Sequence, residues 1–400
     1  MYPLRIVSHG LSSLQGRTRR ALYCPRQNCH SGRSSKGNLK LTPRVREAFD
    51  NSLLCTGCAS QCSSGARADK VIMAVRRTFA DELGLPLVKK ALGKTLTQPG
   101  MALDLGARID AVLQPLVFRG IPEDSGLLPR FALPLVDGNQ YVPKVASKPL
   151  RSRVRRAGNA GQPEVIYFTG YMANYAMTEI ADNTVKLLNT AGVTVTVPEK
   201  QACCGMPMLV SRDADSVRKQ AERNVKALAG TRGPIVVTCA SCGHMLQHGY
   251  HEVLGDNAEL KADLDDIAAR TTDIITYLVN VVGEEQLSRL LNRKKPATVT
   301  YHDPCHLRKA QGVTEEPRKL PSLIPDVYCK EMKQPEACYG LGGTYCIAHM
   351  ERSKSIQAKK IDDAQQPVQT ALPQPAQAVS CYCVTVSGVA LILQCAQNTS

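Results

Sequence analysis

Apolar and polar positions along this chain alternate between two periods that take turns. The run Val165, Ile166, Tyr167, Phe168, Thr169 is β-branched and aromatic throughout and predicts a buried strand. Glu179 to Asn189 has the spacing of an amphipathic helix, and Val193 to Val197 reads as a second strand. A further helix over about Ala214 to Leu228 and a strand over Pro234 to Thr238 complete a βαβαβ order. Such an order predicts a parallel sheet with its chemistry at the carboxyl edge. Each of the last two strands runs straight into cysteines: Cys203 and Cys204 after one, Cys239 and Cys242 after the other.

The pattern then restarts. Residues 257 to 296 read as a helical connection, and Ala297 to Tyr301 as a strand ending in His302, Asp303, Pro304, Cys305, His306. Cys338, Tyr339 and Gly340 stand where the Cys203–Cys204–Gly205 turn stood, and Cys381, Tyr382, Cys383 stand where Cys239 to Cys242 stood. Two segments with the same order of strands and cysteine loops constitute an internal repeat. Upstream, a short helix from Pro43 to Leu54 is predicted to enter a cysteine loop. One or two helices over 66 to 95 follow, with Val71, Ile72, Val75 and Phe79 on one side. Residues 96 to 164 are rich in Pro and Gly and read as a partly helical tether. Within it, Ala111 to Phe118 is an apolar run and Lys148 to Arg156 is a basic stretch expected to be solvated.

The expected divisions are a basic leader at 1–43, a degenerate ferredoxin-type segment at 44–95 and a linker at 96–164. A first cysteine-rich domain at 165–256, the connection at 257–296 and a second cysteine-rich domain at 297–400 complete the chain.

Composition narrows the chemistry. A length of 400 residues at 43% hydrophobic allows two or three domains, while 4% aromatic content without Trp leaves their cores to aliphatic side chains. Sixteen cysteines without a secretory apolar segment point to metal ligands before disulfides. The charge of +15 is not interleaved with aromatics and no nucleic-acid motif occurs, so nucleic acid is excluded and a basic face toward an acidic partner or lipid headgroups is expected. Residues 1 to 46 hold ten Lys or Arg and no acid, in a poorly defined leader that also carries Cys24 and Cys29. From 364 to 400 no side chain is charged. The stretch Ala378 to Ala396 is long enough to span a membrane, but its Ser, Gln and Cys favour a place in the second domain.

Adjacent cysteines do not readily bond to each other, but both can offer thiolates to a multi-iron cluster, and a Cys-x-x-Cys turn adds two more. Buried, unliganded thiols are the plain alternative for any single cysteine. A pair plus Cys-x-x-Cys, from Cys203 to Cys242, favours a ligand set. The upstream loop lays Ser52, Cys55, Cys58, Cys62 and Ser63 on the C-x2-C-x2-C-x3-C-P spacing of 4Fe-4S ferredoxins, with Ser in place of the first Cys and of the Pro. Cys24, Cys29 or the Ser52 oxygen could complete it, and a zinc site would want a fourth ligand equally. No strand is followed by G-x-G-x-x-G, and no general base, nucleophile or phosphate loop is evident, so no catalytic residue is expected. His302, Asp303 and His306 beside Cys305 fit capping or ligand support, or proton movement.

From about Gly32 to Leu393 the chain resembles the iron-sulfur subunit of the bacterial glycolate oxidase family, Fe-S oxidoreductases with cysteine-rich CCG domains. That family is related to the third subunit of anaerobic glycerol-3-phosphate dehydrogenase and to lactate-utilisation and heterodisulfide-reductase proteins. The stretches CTGCASQCSSG, YFTGYMANY, ACCGMP, TCASCGHML, TYHDPCHLRKAQGV and CYGLGGTYCIAH carry the likeness. It implies an α/β chain: a helical ferredoxin-like 4Fe-4S module, then two tandem Rossmann-like CCG domains. Implied cluster ligands are Cys55, Cys58, Cys62, Cys203, Cys204, Cys239, Cys242, Cys305, Cys338, Cys381 and Cys383. The implied role is electron transfer from a flavoprotein subunit, which carries the FAD and oxidises glycolate or lactate, to a quinone or other carrier, in the cytoplasm or at the inner face of the membrane. A glycerol-3-phosphate dehydrogenase subunit, a heterodisulfide-reductase-like protein and a non-catalytic remnant are the alternatives. The family's first ferredoxin motif is missing, and Ser52, Tyr171 and Tyr339 stand where it has cysteines, so this is a diverged copy.

Overall fold

A computed structural model describes residues 42–60, 62–98, 100–120, 127–131, 142–291, 297–342 and 345–369. The expectations for the leader, for Cys24 and Cys29, for Cys381 and Cys383 and for Ala378 to Ala396 lie outside these residues.

Helix α1 (Pro43–Asp50) opens where the Thr42 hydroxyl accepts the Val45 N–H, with Pro43 in the first turn where its missing donor costs nothing. It stops at Asp50, short of the expected Leu54, because Leu54 (φ 52) and Thr56 (φ 57) adopt left-handed backbone that no helix continues through. The single turn α2 (Gly57–Ser60) follows, then α3 (Ala68–Leu83) and α4 (Leu87–Leu96). Of the predicted α3 face, Ile72, Val75 and Phe79 are buried against Phe49 and Leu54, with Val71 half-buried. The long α5 (Gly100–Val117) leads into an antiparallel pair, β1 (Phe118–Gly120) and β2 (Leu127–Pro129).

The basic stretch 148–156 is not a solvated linker. It forms α6 (Leu150–Arg153) and β3 (Arg156–Ala157), and Arg151 is buried. The Arg151 guanidinium donates to Asp104 Oδ1 (2.7 Å), the Tyr175 hydroxyl (2.6 Å), Gly100 O (2.9 Å) and Gln201 O (3.0 Å). A buried arginine is tolerable only with its donors occupied, and these partners come from three separate segments.

The central sheet runs β3-β5-β4-β6-β7, with β4 (Glu164–Phe168), β5 (Thr194–Thr196), β6 (Ile235–Val237) and β7 (Thr271–Asp273) parallel and β3 antiparallel at the edge. Alternation sends Val165 and Tyr167 to one face, where they pack with α7 (Thr178–Thr190), and Ile166 and Phe168 to the other. There they meet the four cysteines, α8 (Met206–Ser211) and α9 (Ala214–Leu228). After β6, α10 (Ala240–His244) widens through one turn at Met245–Gly249 into α11 (Tyr250–Leu254), and α12 (Lys261–Arg270) leads to β7. The stretch read as a helical connection therefore supplies a strand of the first sheet, three residues long and without an apolar run to announce it.

Asp273 ends β7 and caps α13 (Ile274–Tyr277), accepting the Ile275 N–H at 2.8 Å. Burial, with Glu316 nearby, pushes its carboxyl up to about 7 from an ordinary 3.8. The folded protein thus holds a proton that the unfolded chain releases near pH 4, and this group's contribution to stability falls as pH rises from 4 to 7. Asp273→Asn keeps the cap acceptor and should stabilise the protein at pH 8 by up to about 3 kcal/mol with little change at pH 4. Denaturant midpoints of both proteins across that range would show it; parallel pH profiles would defeat the assignment.

Among the described residues the second half has a smaller sheet. After α14 (Glu284–Leu290), β8 (Ala297–Val299) pairs in parallel with β9 (Val327–Cys329), around α15 (Cys305–Gln311) and α16 (Glu316–Ser322). Helices α17 (Tyr345–Ala348) and α18 (Met350–Gln369) close the described chain. The two halves meet where α10 packs on α15: Ser241 Oγ bonds His306 Nδ1 (2.9 Å), and Gln311 Nε2 donates to Ala240 O (2.8 Å). Among the described residues no helix is long and apolar enough to cross a membrane.

Candidate metal centre

The loop after β5 is fastened before it reaches its cysteines. Gln201 is buried, accepts the Thr169 N–H at 2.8 Å and donates to Tyr167 O at 3.2 Å. Asn224 on α9 accepts the Ala202 N–H (2.7 Å) and donates to Cys203 O (2.9 Å) and the Tyr250 hydroxyl (2.8 Å). Two amides with every group occupied hold the turn rigid. Cys203 and Cys204 then lie beside Cys239, which begins α10, and Cys242 one turn on; all four are buried.

The thiols form a chain within hydrogen-bonding reach, Cys203 to Cys204, Cys204 to Cys242 and Cys242 to Cys239. Cys204 is the acceptor: bonds from Cys203 and Cys242, with the Met206 N–H, hold it well below the ordinary thiol range. Donation to Cys204, reinforced by burial, raises Cys203 and Cys242. Four soft donors at the carboxyl edge of a parallel sheet, one of them held low by its neighbours, suit a multi-iron cluster. Among the described residues no three His, Cys, Asp or Glu side chains are set to hold a single metal ion. Ligands of a cluster each take their own iron, so they need not share one centre.

Tyr171, at the position of a lost cysteine, is half-buried against this cysteine cluster, and burial raises its hydroxyl. Gly170 (φ 60) lets backbone run beside sulfur, since a Cβ there would lie 2.9 Å from Cys242 Sγ.

The second set is assembled differently from its expected grouping. Cys305 opens α15, and Cys338 accepts the Gly340 N–H at 3.3 Å. Burial, with the charge of Cys55 next in weight, pushes Cys305 up to about 12 and Cys338 well above the ordinary range. Cys55 from the upstream loop thus sits with the second half. The Cys62 thiol bonds Ser64 Oγ at 3.1 Å and is held low by that bond and by N–H groups of its own loop. Leu54 and the β-branched Thr56, both left-handed, flank Cys55 at a strain of roughly 1–3 kcal/mol each. Arg76 holds that turn by donating to Phe49 O (2.8 Å) and Ser52 O (2.5 Å). Ser52 Oγ accepts the Leu54 N–H at 3.2 Å, a turn-capping contact. Cys329 and Cys346, which are not among the expected ligands, lie on β9 and α17, and no disulfide joins the described cysteines.

Around Cys305, Asp303 is engaged by Arg308 and by Arg318 (2.9 Å), which leaves it a structural anion. His302 donates Nδ1–H to Pro335 O at 2.9 Å and stands edge-on to Tyr339 at 5.1 Å. Burial lowers its ring to about 3, so it is neutral, and its buried Nε2 has no partner among the described residues. His306 stacks on His244 (5.1 Å), which neighbours His248 (5.5 Å), where α10 packs on α15. Burial lowers His244 to about 4 and His306 to about 3.

Residues 165–247 and 299–383 match the cysteine-rich domain family. The chain is 30% identical over 234 residues to a subunit of a fumarate reductase (CoM/CoB) from Methanothermobacter marburgensis, covering 57% of this chain and 44% of that protein. It is 33% identical over 198 residues to an uncharacterized iron-sulfur protein of Methanococcus maripaludis, 49% of this chain and 36% of that one. Lactate utilization protein A 2 of Bacillus cereus is 29% identical over 198 residues, 50% of this chain and 80% of the relative. The chain thus spans less than half the length of the first two.

Proposed function

We propose that this chain, which carries two diverged copies of the cysteine-rich CCG domain, is the iron-sulfur electron-transfer subunit of a flavin-dependent 2-hydroxy-acid dehydrogenase. Its donor is a flavoprotein subunit bearing FAD, and its acceptor a quinone or another carrier. The observation that carries the reading is the set of four buried thiols brought together at the carboxyl edge of the first sheet. An iron-sulfur cluster bound there supplies one-electron transfer. The chain's own part is to anchor it through Cys203, Cys204, Cys239 and Cys242, to hold the loop rigid through Gln201 and Asn224, and to keep water out with Met208, Met245 and Tyr250. Lactate, or the one-carbon-shorter glycolate, is the favoured substrate of the partner, since the relative that the chain covers to 80% is named for lactate utilization. The likeness to a fumarate reductase (CoM/CoB) subunit supports a second reading, a subunit serving a thiol-linked reductase. The charge of +15 suits docking on an acidic subunit or an anionic membrane face.

The purified chain alone should show no lactate or glycolate dehydrogenase activity with an artificial acceptor dye, and activity should appear on co-expression with the flavoprotein. Substrate-dependent dye reduction by this polypeptide, free of flavin, would overturn the relay reading. Absence of iron and acid-labile sulfide after anaerobic purification would make it a remnant.

A further inference from the structure

The second domain lacks the second thiol of its doublet, since Tyr339 follows Cys338 where Cys204 follows Cys203. The upstream cysteine loop is seated on this gap. Leu53 packs so closely on Gly342 that a Cβ there would overlap its side chain, α2 packs on α15, and the Leu54 carbonyl faces the His306 imidazole. Cys55 is presented between the two left-handed residues and is near enough to Cys305 and Cys338 for both to feel its charge. Beside Cys338, His302 is oriented as a metal-facing imidazole is: Nδ1–H on a backbone carbonyl and Nε2 buried with no partner among the described residues.

We propose that Cys55 replaces the thiol lost at Tyr339, so that Cys55, Cys305 and Cys338 ligate one iron-sulfur cluster at the second domain and the upstream loop holds no cluster of its own. The proposal rests on the reading of the chain as an iron-sulfur protein. It regroups the cysteines: Cys62, whose thiol bonds its own Ser64, and Cys58 are left out of the set. Three thiolates leave one iron of a four-iron cluster for a non-thiol donor, and His302, edge-on to Tyr339 next to Cys338 and with Nε2 unpartnered among the described residues, is the candidate for it.

The test compares iron, acid-labile sulfide and the EPR spectrum of the anaerobically reconstituted full chain with those of its Cys55→Ser, Cys305→Ser, Cys338→Ser, Cys58→Ser and Cys62→Ser variants. The first three should each lose the same single cluster, Cys55→Ser combined with Cys338→Ser should lose no more, and the last two should match the parent. Cys58→Ser or Cys62→Ser removing the same signal as Cys55→Ser would overturn the grouping, as would a parent-like Cys55→Ser. If circular dichroism shows a variant unfolded, the parent answers instead. Dibromobimane should bridge Cys55 to Cys305 or Cys338 in the apo chain and fail to do so once iron is loaded; bridging of Cys55 to Cys58 or Cys62 alone sinks the proposal. Iron held at Cys203, Cys204, Cys239 and Cys242 with none at Cys55 defeats this inference and leaves the electron-transfer reading standing. No iron at any site defeats both.

Discussion

Replacing Cys204 with serine should strip the first domain of its iron while leaving the chain folded. Cys204 receives bonds from both Cys203 and Cys242, which hold it well below the ordinary thiol range. A serine hydroxyl in its place is not ionised near neutral pH and is a hard donor for a soft site. It can still accept the neighbouring S–H groups, so the cost to folding should be only about 1 kcal/mol. Iron and sulfide per chain should drop by one cluster, with matching loss of visible absorbance and of one EPR signal. A variant with the parent's spectrum and iron content would show that these four cysteines are simply buried thiols.

Arg151→Ala should cost about 3–5 kcal/mol, the usual consequence of removing one partner from a buried ionic network. Asp104, the Tyr175 hydroxyl and the carbonyls of Gly100 and Gln201 all lose the same guanidinium. Tyr175 and Asp104 keep their mutual bond at 2.7 Å, which sets the lower end of that range. Because Gln201 also holds Thr169 and precedes the cysteine pair, the variant should release iron from the first site faster than the parent as well as melt earlier. A melting temperature and a chelator-challenge rate equal to the parent's would return residues 148 to 156 to the solvent.

What could be read from the chain was whatever declares itself locally. The strand over Glu164–Phe168 and the helix over Ala214–Leu228 have enough residues of one period to be seen, and the placing of cysteines after parallel strands follows from their order. The strands β7 and β9 have three residues each, too few to show a period, and β7, without an apolar residue, exists because β6 offers it an edge. Arg151 looked like one more exposed base in a basic stretch; its burial depends on Asp104 and Tyr175, which no local pattern connects to it. The end of α1 at Asp50 depends on left-handed Leu54 and Thr56, residue types that rarely adopt that backbone. The ferredoxin spacing of Cys55, Cys58 and Cys62 marks one loop, but nothing in that spacing announces that its neighbour Leu53 packs on Gly342 or that Cys55 comes near Cys305 and Cys338.

The nearness of Cys55 to Cys305 and Cys338 also orders events in time. At about 5–20 residues per second on the ribosome, Cys55 emerges tens of seconds before Cys338. The four cysteines of the first domain, by contrast, emerge within seconds of one another. The first site is complete while the chain is still being made, and the second exists only after synthesis has passed Cys338 and the two distant segments have met. During that interval Cys55 is an exposed thiol on a nascent chain, open to oxidation or to stray metal, so the second site is the one whose filling is most sensitive to oxygen and to the rate of translation.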